Sequence, residues 1–393
     1  MSNPPPALYI HIPFCAVRCR YCDFNTFAGL ERYYEPYTAA LIDEIRRAGA
    51  ALGRPQVRTV FVGGGTPTVL PPSLLAQVLD ACRTAFVVPS DAEITSEANP
   101  GTVDQDHFLA LRAMGVNRLS MGVQSFDDEE LRWLGRIHSA AEAEGAFKAA
   151  RAAGFDNLNL DFIYGLPGQT PATWLHSLDR ALALGPEHLS LYSLTVEPGT
   201  PLADHVRRGL AAAPDDDLAA DLYLAAQEKL ASHGYIQYEI SNWATGVTRS
   251  DQDNPGFACR HNLVYWRDEP YLGFGPGAHS YDGARRWWNV RPVPHYIQRL
   301  GRAESAEAGS ERIDTRMAQG EMMMLGLRLV REGVTAARFR ERFGVSLTEM
   351  FDREITELTE RGLLEWLSGH LRLTPQGRLL GNHVFAAFLP DEP

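Results

Sequence analysis

The sequence predicts an α/β protein: a partial (β/α)6 barrel with a parallel sheet, followed by a small winged-helix-like domain at the C-terminal end. Three observations carry this. Six short apolar runs between Ala7 and Val196 alternate with helical patterns, as strands joined by crossover helices do. The runs lack the polar/apolar alternation of half-exposed strands, so they read as strands buried on both faces. Cysteines, glycines or lone polar residues stand where the runs end, at the cysteine loop, Gly64 to Thr66, Glu97, Gln124 and Asp161. In barrels of this kind the active site gathers at the carboxyl ends of the strands.

Ala7 to Ile12 reads as the first strand, and a cysteine-rich loop follows it. Tyr34 to Ala51 is helical by its apolar period. Val57 to Val62 is the second strand, ending in Gly63-Gly64-Gly65-Thr66-Pro67, and Ser73 to Phe86 the next helix. Cys82 falls in register with Leu75 and Val78 there and reads as core. Ala92 to Glu97 and Asn117 to Gln124 are strands three and four, with a helix over Gln105 to Met114 between them. Ala140 to Ala153 is a helix ended by Gly154. Leu158 to Tyr164 is strand five, stopped by Gly165-Leu166-Pro167-Gly168. Thr173 to Leu184 is a helix stopped by Gly185-Pro186, and His188 to Val196 is strand six. Ala203 to Trp243 reads as mostly helical, and Thr245 to Pro255 as polar and turn-rich. Phe257 to Gly283 is dense in aromatics and glycine. Leu300 to Glu311, small and polar, reads as a linker. From Met317 onward three helices and a hairpin-like wing follow. The expected division is 1–240 for the barrel, 241–310 for an extension and 311–393 for the winged-helix-like domain.

Bulk properties exclude several classes. A net charge of −12 over 393 residues argues against a general nucleic-acid or anionic-membrane binder. The winged-helix tail carries 9 Arg and no Lys against 11 Asp plus Glu from Met317 on, without the basic stripe of a groove reader. A structural or protein-docking role is expected there, and no nucleic-acid partner. The longest apolar runs are too short to span a bilayer, and Met1 to Pro6 does not read as a signal peptide. Five cysteines, three of them within eight residues, do not form a disulfide framework. A reducing, cytoplasmic setting is expected.

Those three, Cys15, Cys19 and Cys22, stand in a CxxxCxxC spacing that lets three thiolates converge on one inorganic centre. A structural zinc site closes with four ligands. A cubane iron–sulfur cluster with three leaves one iron open for a substrate. On spacing alone, a zinc knuckle borrowing a distant histidine and three buried thiols stay open. Together with Gly63-Gly64-Gly65-Thr66-Pro67 one strand later, the motif resembles the radical S-adenosylmethionine (SAM) superfamily. The resemblance implies a radical-SAM barrel with a [4Fe-4S] cluster on Cys15, Cys19 and Cys22. It also implies SAM on the open iron, and an electron donor whose electron cleaves SAM to a 5′-deoxyadenosyl radical.

A closer resemblance rests on YIHIPFC, GGGTPT, RLSMGVQSF and NLDFIYGLPGQT, which are similar to the coproporphyrinogen III oxidase-like family over the first half of the chain. By position in these motifs, Tyr9 and Tyr21 would line the cofactor. Gly64, Gly65 and Thr66 would hold its amino acid part, and Glu97 would accept hydrogen bonds from it. Gln124, Arg136 and Asp161 match positions that contact a second SAM in the oxidase branch. That branch extends the motif to CxxxCxxCxC, and here Phe24 replaces the last cysteine. The departure points to the sister group of HemW-type heme chaperones, whose HNxxYW signature His261 to Trp266 resembles. The resemblance implies heme as cargo, His261 as its ligand and a heme-acceptor protein as partner. Cys259 and His279 are lesser ligand candidates. By residue type alone, His261 reads first as a satisfied buried histidine, and only the resemblance makes it a heme ligand. A carrier is expected rather than an enzyme; the alternative is an oxygen-independent coproporphyrinogen III oxidase.

Overall fold

The structure is a computed structural model that describes residues 5–246 and 254–390. The first part alternates as expected: β1 (Ala7–Ile12), α1 (Tyr34–Ala51), β2 (Thr59–Gly64), α2 (Pro72–Ala85), β3 (Glu93–Ala98), α3 (Gln105–Ala113), β4 (Arg118–Gln124), α4 (Asp128–Leu134), α5 (Ala140–Ala152), β5 (Leu158–Tyr164), α6 (Pro171–Leu184) and β6 (His188–Ser193). Then come α7 (Pro201–Arg207), α8 (Asp216–Ser232), β7 (Ile236–Glu239), β8 (Asn242–Ala244), α9 (Arg260–Trp266), β9 (Tyr271–Phe274), β10 (His279–Tyr281), β11 (Arg285–Asn289), α10 (Val293–Gly301) and β12 (Glu307–Arg312). The last part holds α11 (Thr315–Gly326), β13 (Val334–Thr335), α12 (Ala336–Phe343), α13 (Leu347–Glu360), β14 (Leu364–Leu367), β15 (His370–Leu373), α14 (Pro375–Leu379) and α15 (Gly381–Ala386).

One sheet runs in the order β12-β11-β10-β9-β1-β2-β3-β4-β5-β6-β8-β7. Strands β1 to β6 are parallel neighbours in sequence order, the arrangement that crossover helices produce. Strand β9 continues the parallel set on the other side of β1, and β10, β11 and β12 add antiparallel strands beyond it. Three sequence expectations change here. Residues 236–244 are not helical; they pair as an antiparallel hairpin on β6. Residues 300–311 are not a free linker, since α10 ends in them and β12 begins. The aromatic and glycine-rich stretch supplies two strands, β9 and β10, to the barrel's own sheet. Part of the polar run Thr245 to Pro255 lies outside the described residues.

The main core packs the helices onto this sheet through residues such as Ile10, Val62, Phe108, Leu160 and Trp174. A second core, around Met323, Phe339, Phe351 and Leu371, belongs to the C-terminal unit with its sheet order β13-β15-β14. The winged-helix pattern is therefore present, with its own interior. It docks on the barrel through Arg342 to Asp268 (2.5 Å), Arg286 to Glu321 (2.5 Å) and Arg328 stacked over Trp266 (4.5 Å). No helix among the described residues is long and apolar enough to cross a membrane.

Candidate cluster and cofactor site

The carboxyl ends of β2 to β6 and the loop after β1 surround one cavity of about 520 Å³. Cys15, Cys19, Tyr21, Cys22, Gly64, Gly65, Thr66, Glu97, Gln124, Arg136 and Asp161 all line it. The cysteine loop is tied down by backbone bonds on both sides: Cys15 N donates to Phe27 O (3.0 Å), and Arg20 N to Leu134 O, the last residue of α4 (3.3 Å). The three thiols are free and partly exposed. Thr66 Oγ1 is 3.7 Å from Cys15 Sγ, Thr26 Oγ1 is 3.6 Å from Cys22 Sγ, and Arg136 Nη1 is 3.3 Å from Cys19 Sγ. Burial pushes the Cys15 thiol up, and the Thr66 hydroxyl opposes that shift. No group of three or more His, Cys, Asp or Glu among the described residues is gathered tightly enough for a single metal ion. A cubane takes each thiolate on a different iron and does not require one.

The glycine turn is a cradle a side chain would fill. Gly64 has φ +113°, and a Cβ on it would stand 2.4 Å from the His11 ring. A Cβ on Gly65 would stand 2.5 Å from Phe14 O and 3.0 Å from Cys15 Sγ. The Gly64 N–H donates to Glu97 Oε2 (2.9 Å), fixing that carboxyl at the cavity wall. Burial, and then the charge of Asp161, pushes Glu97 up to about 8. Asp161 is also raised by burial; it accepts from Ser120 Oγ (3.0 Å) and Asn159 Nδ2 (2.8 Å). Two desolvated carboxyls facing a cavity suit a cationic ligand, which lowers the cost of ionising them. A sulfonium amino acid with its ammonium group fits that description, and three cysteines fit a cluster.

Two site residues expected from the sequence do not line this cavity. Tyr9 donates its hydroxyl toward His11 Nδ1 (3.0 Å) and stacks on Phe61 (6.3 Å between centroids). His261 is 2% exposed at the N-terminal end of α9, which the side chain of Glu93 caps. Glu93 Oε1 accepts from the His261 N–H and Oε2 from the Arg260 N–H, each at 3.0 Å. The ring of His261 stacks on Phe61 (5.1 Å); Nδ1 bonds Thr59 Oγ1 (2.7 Å) and Nε2 bonds Tyr265 Oη (3.0 Å). A neutral imidazole has one donor and one acceptor nitrogen, and both are engaged. Burial lowers its pKa to about 3. As folded, His261 is the satisfied buried histidine and offers no free nitrogen to an iron. Cys259 is also buried, which pushes its thiol up to about 12 and disfavours a thiolate. Among the lesser candidates, His279 is exposed, stacked on Trp288 at 5.8 Å.

Sequence reasoning did not single out Thr26, Ser120, Tyr192 and Ser193 at the end of β6, or Leu194, Thr195 and Glu197 after it, which also line the cavity. Tyr192 falls inside the run read as strand six, which ends at Ser193 in the fold, so its strand-end position was hidden; Thr26, inside the cysteine loop, had no signal by residue type.

The fold and this cysteine-lined cavity define a radical SAM protein. A profile of the radical SAM superfamily matches residues 9–181, and one of the HemN C-terminal domain matches residues 319–380. The heme chaperone HemW of Bacillus subtilis (strain 168) is 40% identical over 384 residues, 98% of this chain and 99% of the relative. That of Escherichia coli (strain K12) is 36% identical over 394 residues, 99% of each. This chain belongs to the HemW heme chaperone family. Among solved structures, coproporphyrinogen III oxidase (HemN) from Escherichia coli, titled a radical SAM enzyme, superposes with a TM-score of 0.83. It is 26% identical, with 98% of this chain and 90% of that chain covered.

Proposed function

We propose that this protein carries heme and hands it to an acceptor protein, with a [4Fe-4S] cluster on Cys15, Cys19 and Cys22 and SAM beside it. The convergence of three thiols, a glycine turn and two buried carboxyls on one cavity supports the cluster and SAM, and the full-length similarity to heme chaperones supports heme as cargo. Bound there, cluster and SAM supply one-electron chemistry once an external donor provides the electron. The chain's own residues bind and orient. Gly64, Gly65 and Thr66 would receive the amino acid part, and Glu97, held by the Gly64 N–H, would offer its carboxyl to the amino group. Tyr21, Gln124, Arg136 and Asp161 close the wall.

A carrier is favoured over the oxidase by Phe24. It is 64% exposed at the cavity rim, where the oxidase pattern has a fourth cysteine. The acidic balance of the C-terminal unit supports a protein-facing rather than a nucleic-acid role, and the cytoplasm is the proposed setting. Heme ligation by His261 enters with a condition. Its ring must leave Thr59 or Tyr265, so ligation and release of α9 are one event.

The test is an anaerobic heme titration followed by absorbance, with wild type beside His261→Ala. Wild type is expected to take up heme and develop a Soret band, and the variant to lose it. Uptake unchanged in the variant removes His261 from the reading; no uptake by wild type removes the chaperone. Incubation with coproporphyrinogen III and SAM is expected to give no vinyl-bearing product, and such a product would establish the oxidase instead.

A further inference from the structure

Each of the three cysteine sulfurs has hydrogen-bonding side chains within reach, Thr26 serving Cys15 as well as Cys22 and Tyr21 standing beside Cys19, and the three settings are not alike. Cys15 and Cys22 face the neutral hydroxyls of Thr66 and Thr26. Cys19 faces a guanidinium, Arg136 Nη1, at 3.3 Å. The local chain is built to deliver that cation. Helix α4 ends at Gly135 in the left-handed region (φ 77°), and Arg136 N then bonds back to Leu131 O (2.9 Å). The residue before Gly135 accepts Arg20 N from the cysteine loop, so Arg136 and Cys19 are mounted on one another. Arg136 Nη2 donates to Gly122 O (2.6 Å), where a Cβ would crowd it at 3.3 Å. Its Nε is buried without a hydrogen-bond partner; Cys19 and the Tyr21 hydroxyl are its polar side-chain neighbours, and no ion pair with a carboxylate is seen among the described residues. The charge is thus directed at the sulfur rather than cancelled by an acid.

We propose that Arg136 is a positioning residue that raises the reduction potential of the cluster through Cys19. This rests on the reading that Cys15, Cys19 and Cys22 hold a cubane. Cluster potentials respond to net charge and to hydrogen bonds on the sulfurs. A charge-assisted hydrogen bond is roughly twice as strong as a neutral one. Arg136 therefore favours the reduced, more negative state more than Thr26 or Thr66 does. The reduction is a one-electron transfer from an external low-potential donor, and no bond is made or broken. Contact with a second SAM, the role the oxidase resemblance implies for this position, predicts no effect on the potential of SAM-free protein.

The experiment is a dithionite titration of anaerobically reconstituted full-length protein without SAM, followed by the electron paramagnetic resonance signal of the reduced cluster. Arg136→Gln is expected to weaken one-electron reduction about tenfold, a fall of about 59 mV. Arg136→Lys keeps the charge but not the fork to Gly122 O, and is expected to give a smaller fall. Thr26→Val, which removes a neutral contact, is also expected to fall less than Arg136→Gln. Equal potentials in wild type and Arg136→Gln overturn the proposal, as does a Thr26→Val shift of the same size or larger. If Arg136→Gln fails to hold iron, Arg136→Lys decides, and an unchanged potential there overturns it. Iron content after Cys→Ala substitution is read separately: iron retained in those variants sinks the cluster reading itself, not the role of Arg136.

Discussion

At the scale of single residues, Glu97 is the group whose chemistry is most exposed to measurement. In the ligand-free cavity it keeps its proton up to a pH of about 8, because burial and Asp161 disfavour the charge. A cationic ligand favours the carboxylate, so binding expels the proton. SAM affinity of the reconstituted protein is therefore expected to rise between pH 6.5 and about 8 and to level off above. Calorimetry in buffers of different ionisation heat would register the released proton. Glu97→Gln is expected to bind SAM about tenfold more weakly and to lose the share of the pH dependence that belongs to this carboxyl. A wild-type affinity flat over the window would exclude this carboxyl from the ammonium site. The stability sign is opposite. The unfolded chain loses this proton near 4.5 and the fold near 8, so the unliganded fold loses stability as pH rises between those values. Gly65 gives a steric counterpart. A Cβ there meets Phe14 O and Cys15 Sγ, both held by the loop, so Gly65→Ala is expected to lower the iron retained after reconstitution while leaving far-ultraviolet circular dichroism unchanged.

At the scale of elements, α9 illustrates what sequence can and cannot disclose. It has seven residues, too few for stable helix in isolation, and is held by tertiary contacts. Glu93, from the start of β3, accepts both of its leading N–H groups. His261 and Tyr265 plug the barrel against Thr59 and Phe61. His261→Ala takes a partner from the buried Thr59 hydroxyl and the half-buried Tyr265 hydroxyl and removes a stacked ring, a cost of about 2–4 kcal/mol. The urea midpoint should fall accordingly, with iron content unchanged because no cluster cysteine touches this helix. A midpoint equal to wild type would mean α9 is already open in solution. The strands β1 to β6 were legible to within a few residues because each is a buried apolar run with a turn signal at its end. The cluster loop and glycine turn were legible because their residue types and spacing have few other uses. By contrast, β9 pairs with β1 across more than 250 residues of chain, and its YLGF has no period of its own. The hairpin β7 to β8 sits at the end of a helix and borrows its apolar tail. Glu93 and Glu44 act through partners far away in sequence. Glu44 accepts from Tyr296 Oη (2.5 Å), Gly275 N (2.9 Å) and Asn289 Nδ2 (2.6 Å), and no local pattern marks either residue.

At the scale of the whole molecule, two large hydrophobic interiors meet at a mixed seam. The seam combines charge pairs with a small apolar cluster in which Leu329 of the C-terminal unit packs with Tyr238, Ala258 and Leu263, so the charge pairs are one part of its strength. Asp268 is the most committed. It lies at φ 50° after α9, its carboxylate almost fully covered, and its partner Arg342 Nη1 is 2.5 Å away. Arg342 also donates to Tyr281 Oη on β10 (3.0 Å), so a single guanidinium joins the C-terminal unit to two elements of the barrel. Removing one member of a buried pair strands the other charge, which costs about 3–5 kcal/mol. Replacing both costs far less, since neither charge then remains desolvated. Arg342→Met is therefore expected to lower hydrogen-exchange protection across α11 to α15 selectively, and Asp268→Asn in the same chain to restore most of it. Because the cysteine loop is anchored to α4 and the barrel, iron content should be the same in both variants. Protection lost equally in β1 to β6 would show that the two interiors open together, and that the seam transmits as much as either core.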